Sequence, residues 1–206
     1  ARELNATDDR DCFTSAGTLA VVEGKHIQPF RLDLGAVRLR ADAGRTARRL
    51  GARSRIDEPR LAYRDVAAAS NRLTLIAAIV PAGAVTVHTA FCLRTPMPMR
   101  DQRVLMALLN SYVANYLVRC RVTTHVSLGI VSRLPVPVPR RGDPLFDDLA
   151  EAAAVMERGG SGETAATIQA LAAEAYGVSP GDFEHVLASF PLVPADERAR
   201  AAAAFR

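Results

Sequence analysis

The sequence predicts an α+β fold: a mixed or antiparallel sheet with one long packed helix, followed by a C-terminal helical segment. Three observations carry that prediction. Between Gly17 and Leu93, short runs rich in β-branched residues are punctuated by Gly, Pro, Ser and Asn. Residues 102–119 then switch to helical spacing, and from Asp143 onward the chain is Ala-rich, acidic and repeatedly capped.

Taken in order, residues 1–15 (ARELNATDDRDCFTS) are polar and aperiodic, and read as a linker from an upstream domain. GTLAVVEG, from Gly17, reads as a strand bounded by glycines. The Arg-rich stretch from Arg38 to Arg60, containing RTARRLGARSR, reads as an exposed loop with a short helix. LAYRDVAAAS and NRLTLIAAIV are two apolar segments separated at Ser70-Asn71, and GAVTVHTAFCL follows the Pro81-Ala82-Gly83 turn. At least three strands of a meander are expected there. In residues 102–119, Val104, Leu105, Leu108, Leu109, Tyr112, Val113, Tyr116 and Leu117 share one broad face, with Asp101 as N-cap. A short apolar strand is expected within residues 121–133, and Pro135, Pro137 and Pro139 form an extended connector. Asp143-Pro144 then opens a helix running to Gly159, Glu163 to Tyr176 forms a second stopped by Gly177, and Ser179-Pro180-Gly181-Asp182 caps a third. ADERARAAAAF is a fourth. The boundaries are therefore a linker at 1–15, a domain at 16–141 and a helical region at 142–206.

A chain of 206 residues, 49% hydrophobic, is long enough to bury a real core, which excludes a disordered tail. Its longest apolar run, Leu73 to Val80, ends at Pro81, well short of the roughly 20 residues that span a bilayer. Neither a membrane partner nor a signal peptide is expected. Cys12, Cys92 and Cys120 are odd in number and widely spaced, so they support neither a disulfide framework nor a zinc knuckle, and a cytoplasmic setting is expected. His26, His88, His125 and His185 lack metal-ligand spacing, and no bound metal is expected.

Charge is more informative. Lys25 is the only lysine, and the other 25 of the 26 basic residues are arginines. GC-rich codon usage accounts for arginine over lysine but not for placement. Residues 24–141 carry a net charge of +14, whereas 1–23 sum to −3 and 142–206 to −7. Clustered guanidinium groups suit a polyanion, which they bind with bidentate hydrogen bonds and counterion release; the competing reading is a solvated basic face.

Catalytic signatures are missing. There are no adjacent prolines, so the N/D-P-P-Y/F/W motif of amino-methyltransferases is absent, as are F-x-G-x-G, G-x-S-x-G, H-E-x-x-H and kinase signatures. GGSGET at 159–164 precedes a helix but lacks the Lys-Ser/Thr of a Walker motif and reads as a linker. One catalytic alternative stands: Asp11, Glu23 and Lys25 form the minimum of a Mg²⁺-dependent nuclease site, two carboxylates for the metal and a lysine for the nucleophile. The basic residues make a more coherent set. Lys25, His26 and Arg31 follow the first strand, Arg64 and Arg72 flank the second, and Gln28 and Asn71 carry amides suited to adenine edges. Trp is absent and Tyr112 and Tyr116 lie on the apolar helix face, which favours duplex over single-strand binding.

Five segments in order carry a resemblance: ELNATDDRDCF, VVEGKHIQPFR, YRDVAAASNRLTLIAAIVP, LLNSYVANYLVRCRVTTHVSLGIVSRLPVP and ALAAEAYGVSPGDFEHVLASFPLV. Together they resemble the C-terminal target-recognition (specificity) region of bacterial DNA adenine N6-methyltransferases of the type IIG and BREX-like kind. The likeness is weakest between Leu32 and Pro59. The family's E-G-K pattern falls on Glu23, Gly24 and Lys25, with Phe30 after it. Its R-x-I/V-A and T/S-N patterns fall on Arg64, Val66, Ala67, Ser70, Asn71 and Thr74. Its N-S, Y and T-H pattern falls on Asn110, Ser111, Tyr116, Thr124 and His125, with Thr123 where Gly is usual and Leu128-Gly129 in place of an aromatic pair. The resemblance implies that the catalytic domain and its S-adenosylmethionine lie upstream, with no cofactor in this chain. The expected function is sequence-specific recognition of double-stranded DNA through Lys25, His26, Gln28, Arg31, Arg64, Asn71, Arg72, Thr124 and His125. Its partners would be the duplex and the upstream methyltransferase domain of the same polypeptide. Besides the nuclease, a basic protein-interaction module meeting an acidic partner is the other alternative.

Overall fold

The computed structural model describes residues 2–94 and 96–206, apart from the Arg53 side chain. Strands β1 (Leu19–Val22), β2 (Ile27–Gln28), β3 (Arg31–Leu32) and β4 (Arg40–Ala41) precede helix α1 (Ala43–Leu50). Strands β5 (Arg60–Arg64), β6 (Ala77–Val80), β7 (Ala84–Thr86) and β8 (Ala90–Cys92) follow. Helices α2 (Met99–Leu109), α3 (Tyr112–Arg119), α4 (Leu128–Val131), α5 (Pro144–Glu157), α6 (Gly162–Ala175), α7 (Pro180–Ala188) and α8 (Ala195–Ala204) complete the chain. The fold is α+β.

Three small sheets share the strands. β1 runs parallel to β7 and antiparallel to β4, and β5 lies between β6 and β8 in an antiparallel sheet. β2 and β3 form a hairpin around Pro29-Phe30. Phe30 sits at φ 68°, a conformation that disfavours a side chain, but its ring is buried in the core and its N–H donates to the Ala77 carbonyl at 3.0 Å. Tertiary contacts hold it there.

The pleat of β5 decides how the core divides. Alternate side chains point to opposite faces, so Leu61 and Tyr63 pack with residues of α2, α5 and α6, while Ala62 packs with residues of α3, α7 and α8. A strand covered on both faces reads as a continuous apolar run, as LAYR and AAIV do. A third cluster joins Val21, Ala41 and Val85 to Leu4, Cys12 and Ile56.

That last cluster corrects the reading of residues 1–15 as a bare linker. Leu4 and Cys12 are buried, and Leu4 bridges to Val87 in parallel fashion. The Glu3 carboxylate accepts from Arg60 Nε and Nη2, both at 2.7 Å, and from the Thr86 backbone N–H at 2.7 Å. The segment is aperiodic because specific polar partners seat it, and no repeating apolar face is needed.

The single long helix expected over 102–119 is broken at Asn110-Ser111. The Asn110 amide pairs with the β6 backbone, its Oδ1 accepting from Ala77 N at 3.0 Å and its Nδ2 donating to Ala77 O at 2.9 Å. Ser111 then N-caps α3 through Ala114 N at 3.1 Å. Asn115 repeats the device one turn on, accepting from Thr74 N and Leu75 N at 2.8 Å each. The break divides the predicted apolar face between two core clusters: Val104, Leu108 and Leu109 of α2 pack in one, and Tyr112 and Val113 of α3 in the other. Asp101 lies within the first turn of α2, with Pro98 at the cap. Residues 121–133 hold no strand; His125 makes an isolated antiparallel bridge to Val66, and α4 follows. The four C-terminal helices are present, α5 with Pro144 in its first turn, α6 N-capped by Ser161, α7 with a Ser179/Asp182 capping box and α8 following Pro194.

Folding also redistributes the charge. Both acidic ends return to the basic middle: Glu3 meets Arg60, Asp9 meets Arg49, Asp147 meets Arg100 at 2.5 Å, Glu157 meets Arg103 at 2.9 Å, and Glu197 meets Arg72. The clustered +14 of the sequence is thus partly matched inside the molecule. What distinguishes one arginine from another is which of them stay unmatched.

Candidate nucleic-acid interface

The turn after β1 is the first component. Gly24 to His26 form one short 3₁₀ turn, and Gly24 N–H donates to Thr89 Oγ1 at 2.8 Å. A Cβ at position 24 would lie 2.6 Å from the Thr89 carbonyl oxygen and 3.1 Å from Arg64 Cγ, so only glycine lets this turn close over β5. His26, 2% exposed, fastens the turn from beneath, its Nδ1 accepting from Glu23 N–H at 3.0 Å. Burial, aided by Lys25, holds the imidazole below its ordinary pKa against the opposing charges of Glu23 and Asp33. A neutral, buried ring with one nitrogen engaged is support for the turn, and the expectation that His26 meets phosphate is corrected on that ground. Lys25 projects to solvent and pairs with Glu23 at 2.6 Å.

Arg64, at the end of β5, is the second component. The Lys25 turn, Thr89, Val66 and Arg64 line an open cleft of about 320 Å³. A second open cleft, of about 470 Å³, is lined by Arg64 together with Gln28, Asn71 and Arg72. Arg64 thus stands where the two clefts meet. Its side chain makes no ion pair or hydrogen bond among the described residues, and its Nε is buried without a partner. Burial pulls its pKa below the usual arginine value, with no carboxylate to offset that effect.

The loop carrying Asn71 and Arg72 is the third component, and an arginine that the sequence reading passed over fixes it. Arg119, at the end of α3, donates to the carbonyls of Asn71, Arg72 (3.1 Å) and Ser189 (3.0 Å) and lies over the Phe190 ring, 3.9 Å from its centroid. Its charge is taken up by carbonyl dipoles and an aromatic face, so it is a clamp and not a ligand contact. No spacing rule in the sequence would have singled it out, nor would one have singled out Thr89. Asn71 keeps its side-chain amide free of partners among the described residues, whereas Arg72 is held by Glu197, which also accepts from Tyr112 Oη at 2.7 Å.

Five residues nominated from the sequence, Lys25, Gln28, Arg64, Asn71 and Arg72, therefore line the confluent clefts, contributed by three separate stretches of chain. The other four do not. Besides the buried His26, Arg31 is exposed on β3 but faces the α5–α6 loop, its Nη1 3.5 Å from where a Cβ of Gly159 would stand. Thr124 and His125 lie beside Val66 on the rim; the Thr124 carbonyl accepts from Ala67 N at 3.3 Å, and His125 Nδ1 lies 3.5 Å from the buried Asp65 carboxylate. Of the Asp11, Glu23 and Lys25 alternative, Glu23 and Lys25 pair with each other at the first cleft, which Asp11 does not line. Among the described residues no group of three or more His, Cys, Asp or Glu side chains could hold a metal ion, and Glu23 is engaged with Lys25. No helix among them is long and apolar enough to cross a membrane.

No protein-family model matches the chain, and no curated protein matches it.

Proposed function

We propose that this chain recognises double-stranded DNA in a sequence-specific manner as the target-recognition part of a cytoplasmic DNA adenine methyltransferase or restriction-modification enzyme. The observation that carries the reading is the confluence at Arg64: two open clefts bring together two arginines, the only lysine and two side-chain amides. Guanidinium and ammonium groups suit phosphates and guanine edges, and amides suit adenine edges, so one surface holds donors for both positioning and reading. The methyl transfer and its S-adenosylmethionine belong to an upstream domain. What falls to this chain is to hold the duplex in register while that domain extrudes and modifies the target base.

Titration of labelled duplexes of varied sequence with the full chain, at salt from about 50 to 200 mM, tests the reading. The expected result is an affinity that falls linearly in log K against log salt and differs between duplexes by more than tenfold. Absence of binding to every duplex at the lowest salt overturns it. Binding only to an acidic protein surface, with no duplex bound, transfers the surface to the protein-interaction alternative.

A further inference from the structure

The geometry points to an oxyanion subsite in the first cleft, where Arg64, Lys25 and Thr89 receive one phosphate group. The inference rests on the DNA reading above for the source of that group, a backbone phosphodiester, but not for its chemistry.

Charge supplies the first argument. Glu23 lines the same cleft but is already paired with Lys25, so together they contribute no net charge, and the Arg64 guanidinium is the uncompensated group. The next acid along the chain, Asp65, just past the end of β5, is held by Arg2 at 2.9 Å. A guanidinium withdrawn from water without a counter-charge is destabilised as a cation, and an incoming anion relieves that penalty at the place where it is greatest. Hydrogen bonding supplies the second argument. Thr89 Oγ1 accepts from Gly24 N–H and so keeps its own proton to donate, and Arg64 Nε has no acceptor. Two donors and one rim cation match the several acceptor lone pairs of a phosphate.

Shape separates a phosphate from a base. A side chain that reads bases must extend into a groove about 8.5 Å deep. The Gly24 turn lies over the Arg64 stem, so close that a Cβ at position 24 would stand 3.1 Å from Arg64 Cγ, and Arg64 Nε is buried beneath it. A phosphate can descend into a recess that a base edge, fixed inside a duplex, cannot enter. On the second cleft Gln28 is exposed and the Asn71 amide has no partner among the described residues, whereas Arg72 is held by Glu197, so reading falls first to the two amides and positioning falls to Arg64.

The test uses the full ¹⁵N-labelled chain and two probes. Inorganic phosphate, against chloride at equal ionic strength, should shift the Arg64 Nε–H and Gly24 amide resonances together. Duplex titrations should show Arg64→Gln weakening every sequence alike, by about tenfold, with the slope of log K against log salt reduced by about 0.9. Arg64→Lys, which keeps one charge, should restore the slope. A folded Arg64→Gln protein with unchanged affinity and slope overturns the subsite while leaving the DNA reading intact. A loss confined to one base pair of the duplex also overturns it, by making Arg64 a reader. Phosphate-dependent shifts at Arg64 without binding to any duplex overturn the DNA reading and leave the oxyanion subsite standing.

Discussion

The two ends of β5 carry arginines on the same face, four residues apart, and they meet opposite fates. Arg60 is 1% exposed, yet its charge is satisfied: Glu3 accepts two of its hydrogen bonds and the Ala84 carbonyl a third at 2.9 Å. Burial disfavours its charge, but the hydrogen bonds and charge of Glu3 more than compensate, and its pKa is raised. Arg64 is less buried and has no such partner among the described residues, and its pKa is lowered. Burial alone therefore does not tell a structural arginine from a ligand-binding one. What tells them apart is whether the fold supplies the counter-charge or leaves it to a partner.

The same substitution made at several arginines turns that contrast into a series. Arg60→Met should be the most damaging, costing about 3–5 kcal/mol in urea unfolding because it strands the buried Glu3 carboxylate. Arg119→Met should cost about 1–3 kcal/mol, since it removes hydrogen bonds to carbonyls and the stacking on Phe190. It should also weaken duplex binding indirectly by loosening the Asn71–Arg72 loop. Arg64→Met should leave stability within about 1 kcal/mol of the parent, because methionine keeps the apolar stem and relieves an unpaired charge. A loss at Arg64 as large as at Arg60 would break the comparison and make both residues structural.

The smallest effect is one of pH and concerns the turn over Arg64. Burial keeps His26 below its ordinary pKa of 6.5, so the unfolded chain takes up the proton more readily than the folded one. The stability that the neutral ring contributes is present above pH 6.5 and is lost as pH falls below it. Unfolding midpoints measured at pH 7.5 and 5.0 should therefore differ less in His26→Asn, which keeps an acceptor for Glu23 N–H, than in the parent. Equal differences would mean that His26 is solvated and the turn unsupported.

The α+β class, the strand-rich middle and the four C-terminal helices were legible because period, turn residues and caps are local signals. The helix break at Asn110 was not. Asparagine and serine inside an apolar periodic run look like polar positions on a continuous helix, and only the backbone of β6 explains why the chain stops to pair with it. The N-terminal segment was misread for a related reason: Glu3 has meaning only opposite Arg60, 57 residues away. At the candidate site, residue type nominated Lys25, Gln28, Arg64, Asn71 and Arg72, and the fold brings these five to the same pair of clefts. It gave no warning that His26 turns inward or that Arg31 faces the α5–α6 loop, since strand phase in such short elements is set by tertiary packing.

By itself the sequence determined which groups are available: an excess of arginine in the middle, acidic ends, a glycine at position 24, and apolar patterns of two periods. The tertiary structure alone decided which cations remain cations without partners. Ion pairing depends on distances of a few ångströms between residues remote in the chain, and no local pattern encodes those distances. Glu3, Asp9, Asp147, Glu157 and Glu197 each fold back onto an arginine, and Arg64 is the cleft-lining arginine that none of them reaches.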